Sequence, residues 1–368
     1  MIYFDNAATS FPKPKRVIRE VTKCLTSYCG NPGRSSHKLS LAAADKIFDV
    51  RVSVSNFLGY EKCENVIFTP NATYALNLVI KGLISNKCHC IISDLEHNSV
   101  IRPLYKALEK HGGELSIFNS DIPVENAVIP LIREDTKLII STICSNVSGR
   151  IIDFNKLSAI AKKCNIMLII DASQYIGHKD IKLNNSYFTA LCSAGHKSLF
   201  GIQGCAFAII NDCKLFDTLT EGGSGVDSFS TTMPLLLPER YEAGTLSTPA
   251  IASLGAGIDF INDVGLDRIE SKLVKMTGIL DNELESIPGI IKYGANNGII
   301  SFNLKNYPSS YVSDILDKNG FATRSGYHCS PLIHKKLQTS ERGAVRISLS
   351  YFNEINEIYT LCKTLRNI

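Results

Sequence analysis

The sequence predicts an α/β protein. A large domain carries a mostly parallel sheet covered by helices on both faces, and a smaller α+β domain follows at the C-terminal end. Two observations lead there. Between residues 66 and 210, short and nearly all-apolar runs alternate with helical patterns. Such runs fit strands buried on both faces, the signature of a parallel sheet. From about residue 251 the texture changes to a long helical stretch followed by short strands and helices.

The elements read in order as follows. Residues 39–58 form one long amphipathic helix. Residues 66–69 are a strand and 72–83 a helix; 90–93 a strand and 100–110 a helix; 137–142 a strand and 155–164 a helix. The run 166–170 is a strand ending at Asp171, and 187–194 and 204–210 continue the series. A helical stretch spans 251–287 and stops at Pro288-Gly289, a pair that breaks regular structure. Short strands and helices at 298–304, 310–319, 344–348 and 354–365 complete the chain. The large domain is expected over 15–255 and the small one over 256–368, with residues 1–14 packing near the latter.

Composition narrows the function. With 368 residues there is room for both domains. The net charge of +4 is scattered, with no dense Lys/Arg block for nucleic acid or an anionic membrane. No apolar run reaches the roughly 18 residues of a membrane span. The opening residues Met1 to Asn6 lack the pattern of a secretory signal, so the expected compartment is cytoplasmic. Twelve cysteines include no CxxC pair, and Cys88 and Cys90 form only a CxC. That spacing does not suggest zinc, and no metal is expected.

In open α/β sheets, ligands bind beyond the carboxyl ends of the strands. Several polar residues stand there. Ala72 and Thr73 open a helix, where free backbone N–H groups favour a phosphate. Asp171 ends a strand; a carboxylate beside a pyridine nitrogen keeps that nitrogen protonated. Lys197, in Ser193-Ala194-Gly195-His196-Lys197, has the amine that can link to an aldehyde cofactor. Ser193 and His196 are placed to hold a phosphate beside it. Singly, these residues also fit an N-cap, a turn aspartate and a solvated lysine. Their convergence is the informative point. Far downstream, Cys329 follows Arg324-Ser325-Gly326-Tyr327-His328, a setting for a second, sulfur-handling nucleophile. A thiolate must attack, and Arg324 and His328 are close enough to lower the pKa of Cys329.

Taken together these segments resemble a fold-type I (aspartate-aminotransferase-like) pyridoxal-phosphate enzyme of the class V aminotransferase group, in particular the cysteine desulfurase and selenocysteine lyase subgroup. The resemblance runs nearly end to end. It includes Asp5-Asn6-Ala7-Ala8-Thr9, Asn31-Pro32-Gly33-Arg34, Glu96-His97-Asn98-Ser99, Ser145-Asn146-Val147, Asp171-Ala172-Ser173-Gln174, Gly222-Gly223-Ser224-Gly225 and Arg324 to Cys329.

That resemblance implies roles. Lys197 would carry pyridoxal 5'-phosphate, Asp171 would pair with its ring nitrogen, and Gln174 and Asn146 would bond its ring hydroxyl. His97 would stack on the ring and help move protons. Ala72, Thr73, Ser193 and His196 would hold the phosphate. Ser224, where the family has threonine, would reach the phosphate in a neighbouring subunit, which implies a homodimer. Arg324 would clamp the substrate carboxylate, with Asn6 and Ala7 on the substrate side. Cys329 would take sulfur from L-cysteine as a persulfide, leaving L-alanine, and pass it to a reductant or acceptor protein. Selenocysteine lyase, cysteine or cystine C–S lyase, and aminotransferase remain alternatives on the same cofactor. Arg150, where a small or hydroxyl residue is expected, would place a charge near the cofactor rim. The run from Cys329 to Lys335 resembles a less characterised branch of the family.

Overall fold

The computed structural model describes residues 1–33, 35–212 and 216–368. Arg34 of the Asn31–Arg34 segment therefore lies outside the described residues. The chain begins with a two-residue strand β1 (Ile2–Tyr3), a helix α1 (Lys15–Lys23) that runs into a π-helical turn, and the long helix α2 (Lys38–Phe57). Then come β2 (Val66–Thr69), α3 (Ala72–Leu83), β3 (His89–Ser93), α4 (Asn98–His111) and β4 (Glu114–Phe118). A short α5 (Val124–Val128) leads to β5 (Thr136–Thr142), α6 (Phe154–Cys164), β6 (Met167–Asp171), β7 (Ala190–Ala194) and β8 (Ala206–Ile210).

Seven strands form one sheet in the order β2-β8-β7-β6-β5-β3-β4. Strand β8 alone runs against the others, pairing antiparallel with both β2 and β7. The sheet is apolar on both faces. In β5, Ile139 packs into one core cluster while Leu138 and Ile140 pack into the other. Side chains alternate across a strand, so an unbroken apolar run means two covered faces.

Helix boundaries follow the capping residues. Asn71 accepts the Tyr74 N–H at 2.9 Å and starts α3. Asp153 accepts the Lys156 N–H at 3.1 Å and starts α6. Gly112, at φ 69°, ends α4 in the left-handed conformation that glycine takes without cost.

The stretch expected as one helix over 251–287 is two, α7 (Thr248–Val264) and α8 (Leu266–Glu285), because Gly265 turns out of the helix at φ 90°. Strand β9 (Ile290–Asn296), β10 (Ile299–Leu304), α9 (Ser309–Lys318), β11 (Phe321–Ala322), β12 (Arg324–Gly326), α10 (Pro331–Lys336), β13 (Ala344–Ser348) and α11 (Ile355–Leu365) follow. Strands β12, β13, β10 and β9 make an antiparallel sheet in that order. Strand β1 pairs with β11, and Asp5 bridges to Ser348, so the N-terminal segment is tied to these C-terminal strands. No helix among the described residues is long and apolar enough to cross a membrane.

Candidate active site

Five strand ends of the large sheet converge on a cavity of about 220 Å³. Beyond β2 stand Ala72 and Thr73; beyond β3, His97; beyond β5, Asn146; at and beyond β6, Asp171 and Gln174; beyond β7, His196 and Lys197. The tethered N-terminal segment contributes Ala7 and Ala8. The C-terminal sheet contributes Arg324 and Arg346, and the turn after β12 contributes His328.

Lys197 and Asp171 set the charge balance. Loss of water around the Lys197 amine lowers its pKa; the Asp171 carboxylate opposes that, and Arg346 and Arg324 add to it. A neutral, nucleophilic amine is thereby favoured. Asp171 is buried, and its Oδ1 accepts the Ser173 N–H at 3.0 Å, which fixes its orientation.

His97 caps α4, its Nδ1 accepting the Ser99 N–H at 3.1 Å. Burial, and then Lys197, push its pKa down to about 4, so the ring is neutral. With Nδ1 accepting, the one ring proton belongs on Nε2, making His97 an N–H donor. Ser99 is a hub that sequence reasoning gave no role: its Oγ lies 2.9 Å from His97 Nδ1 and 2.7 Å from Thr73 Oγ1. Its place in the helix start after His97 was the only available signal.

Arg324 and Arg346 sit directly opposite one another on β12 and β13. Like charges so paired repel. Arg346 is 1% exposed and is compensated by Asp5 Oδ1 at 2.6 Å and the Asn146 carbonyl at 3.0 Å. The Arg324 guanidinium has neither carboxylate nor hydrogen-bond partner among the described residues, yet it lines the cavity. A bidentate cation so placed is free to receive a carboxylate. The sequence places Arg346 only within the element at 344–348 and gives it no role; a charge inside that apolar run is its signal.

Two thiols are near the cavity, and burial separates them. Cys144 lines it, but burial pushes its pKa up to about 12, and it stays protonated. Cys329 is exposed. It stands in a short turn where His328 and Cys329 both take the left-handed conformation, at φ 50° and 58°. That conformation costs a side-chain-bearing residue roughly 1–2 kcal/mol, so the surroundings must hold it. The Asn98 N–H donates to the Cys329 carbonyl at 2.7 Å. Asn146 Nδ2 donates to the His328 carbonyl at 2.8 Å, and Asn146 Oδ1 accepts from Ser330 Oγ at 2.7 Å.

Several expectations change. The sequence expects His328 to help lower the pKa of Cys329. It is 3% exposed, with Nε2 facing the Arg324 carbonyl at 3.3 Å and Nδ1 facing His334 at 3.4 Å. Burial pushes its pKa down to about 2, so it is neutral and supplies no charge. Arg150 does not reach the cavity; it pairs with Asp121 at 2.8 Å and donates to the Ser120 carbonyl, around a separate hollow. Asn6 touches the site only indirectly, because its amide donates to the Ser348 carbonyl at 2.9 Å and so ties down the segment bearing Ala7. Ser224 lies outside the cavity on an exposed loop. Gln174 lines the cavity and donates from Nε2 to the Ala7 carbonyl at 2.8 Å.

The cavity is suited to an anionic aromatic aldehyde. His196 lines the cavity, and its Nδ1 is buried with no partner. Buried polar atoms without partners are rare in native proteins, and a phosphate would satisfy it. Ser193, expected beside it, is not part of the lining: Ala194, the next residue of β7, is, and side chains alternate across a strand. Ala72 and Thr73 add the open end of α3, whose first N–H groups have no intrahelical acceptor.

Comparison with known proteins agrees with this geometry. Residues 2–361 match the family described as aminotransferase class-V. A probable cysteine desulfurase of Methanothermobacter thermautotrophicus is 32% identical over the whole chain and 94% of its own length. A cysteine desulfurase of Escherichia coli O8 is 28% identical over 100% of this chain and 93% of its own. The apo structure of cysteine desulfurase from Thermococcus onnurineus NA1 superposes with a TM-score of 0.89 at 30% identity, covering 100% of this chain and 94% of that one.

Proposed function

The chain belongs to the class-V aminotransferase family, and from that premise we propose that it is a pyridoxal-phosphate-dependent cysteine desulfurase, a cytoplasmic homodimer. It converts L-cysteine to L-alanine and leaves the sulfur on Cys329 as a persulfide. One observation carries the reading: an uncompensated guanidinium on Arg324 lines a cavity that holds a desolvated lysine, and the exposed thiol of Cys329 follows directly on His328 of that lining.

Pyridoxal phosphate, when bound, supplies an aldehyde for covalent attachment and a ring that stores the electrons released at the substrate's α carbon. The residues do the rest. Ala72, Thr73 and His196 would hold the phosphate. Asp171 keeps a proton on the ring nitrogen. Gln174, with Nε2 engaged by the Ala7 carbonyl, would have Oε1 free to bond the ring hydroxyl, and Asn146 keeps one N–H hydrogen and one lone pair for it beyond its two bonds to the Cys329 turn. His97 donates its Nε2 proton toward the ring region. Arg324 clamps the substrate carboxylate by its fork. Lys197 Nζ, favoured as the free base, takes up and returns the proton of the α carbon. Cys329, as thiolate, attacks the substrate sulfur. A sulfur–sulfur bond forms, the substrate's carbon–sulfur bond breaks, and its electron pair and a proton complete the methyl group of alanine. A thiol reductant or acceptor protein then takes the terminal sulfur.

Incubation with L-cysteine, L-cystine and L-selenocysteine tests the reading, with organic and chalcogen products measured. We expect alanine with sulfide from L-cysteine in the presence of a thiol reductant. Cys329→Ala should abolish it, while Cys144→Ala retains it. Pyruvate and ammonia would point to C–S elimination instead. Alanine from selenocysteine alone, persisting in Cys329→Ala, would point to a selenocysteine lyase.

A further inference from the structure

Lys13 stands just before α1, outside the cavity lining, and no motif assigns it a role. It is substantially covered, yet no carboxylate pairs with it among the described residues. Its ammonium donates to the His196 carbonyl at 2.9 Å and to Ser10 Oγ at 2.8 Å. The same carbonyl is also approached by the Ser10 N–H at 3.2 Å, Thr9 Oγ1 at 3.1 Å and Ser10 Oγ at 3.3 Å. Four donors thus converge on one oxygen that has two lone pairs. A covered cation served only by neutral acceptors is poorly compensated. Burial alone pushes the Lys13 pKa down to about 8.

The unmet demand falls beside a second one. The residue whose carbonyl Lys13 holds, His196, lines the cavity and has a buried Nδ1 with no partner. The Lys13 charge is felt at the His196 ring, where it adds to burial and Lys197 in lowering the pKa. A poorly compensated cation thus stands behind a ring with an unsatisfied nitrogen that lines the cavity. A dianion in the cavity would satisfy that nitrogen and offset the charge.

We propose that Lys13 is a further positioning residue for the cofactor phosphate. It fixes the backbone of His196 and Lys197 and supplies the counter-charge behind the phosphate-binding side chains. The inference rests on the pyridoxal-phosphate reading above. It adds a cation from the N-terminal segment to a phosphate site otherwise built from neutral groups.

The test compares pyridoxal phosphate with pyridoxal, which lacks only the phosphate. Both are titrated into cofactor-free wild type, Lys13→Met and Lys13→Arg, with binding followed by absorbance. Lys13→Met should weaken pyridoxal phosphate about tenfold, the scale of one charge-assisted contact, and leave pyridoxal unchanged. Lys13→Arg should restore most of the loss. Unchanged affinity for pyridoxal phosphate in Lys13→Met would overturn the proposal. Equal weakening of both ligands would also overturn it, because Lys13 would then only pack the segment. Should wild type take up neither ligand, the cofactor reading itself fails, which is a different outcome from either.

Discussion

At the scale of single residues, burial decides which groups can react. Cys144 and Cys329 have the same thiol, but only Cys329 meets solvent. His97 and His328 both lose their charge on burial. Glu96 shows the effect most directly. It is fully buried, with Oε1 accepting from the Thr142 N–H at 2.8 Å and from Ser93, and Oε2 unpartnered. Burial raises its pKa from 4.5 to about 8. Between those values the folded chain keeps a proton that the unfolded chain has released. By linkage, this residue's contribution therefore falls as pH rises across the window. Glu96→Gln imitates the protonated form. We expect its Tm, relative to wild type, to rise steadily from pH 5 to pH 8 in cofactor-free protein; a constant difference would contradict the assignment. The charged state of such residues was not legible in the sequence. The pattern Arg324 to Cys329 suggests an activating His328, and only the burial of its ring, which the sequence does not display, makes it neutral.

At the scale of elements, the sequence was legible where strands are buried on both faces. Helix α3 was read to the residue, and β2 likewise, because an apolar run meets a capped helix start. Strands β4 and β9 were missed. Both lie at sheet edges and keep partly exposed residues, so neither shows an unbroken apolar run. Helix α1 was missed because Val17 is its only buried residue. The strand-end residues of the site were legible because each closes a local pattern. The pairing of Arg324 with Arg346 is set by the register of β12 on β13, and the Asn146 clamp on the Cys329 turn joins residues 182 positions apart; neither leaves a local trace. That clamp makes a prediction. Ser330→Ala leaves Asn146 Oδ1 without its partner and frees a turn held in two costly conformations. Its kcat for desulfuration should fall several-fold, while cofactor absorbance stays that of wild type. A rate equal to wild type would show that the turn needs no such brace.

At the scale of the whole molecule, a single chain leaves one feature unexplained. The loop that carries Ser224 exposes Phe229 fully and Leu235 and Leu236 at 78% and 73%. Large apolar side chains gathered on one segment mark an interaction surface. A second copy of the chain would cover them and bring the Ser224 hydroxyl to its partner's phosphate site. Sedimentation should therefore give a dimer. The double change Phe229→Asp and Leu236→Asp should yield monomers that bind pyridoxal phosphate more weakly. Monomeric wild type with full cofactor affinity would contradict this arrangement.

The destination of the sulfur atom is the most direct test of all. Holoenzyme would be mixed with an equivalent of L-cysteine, quenched with an alkylating agent without reductant, digested, and weighed peptide by peptide. The account predicts one extra sulfur atom on the peptide containing Cys329, with alanine released in equal amount. Alanine formed while Cys329 stays unmodified and another cysteine carries the sulfur would contradict it.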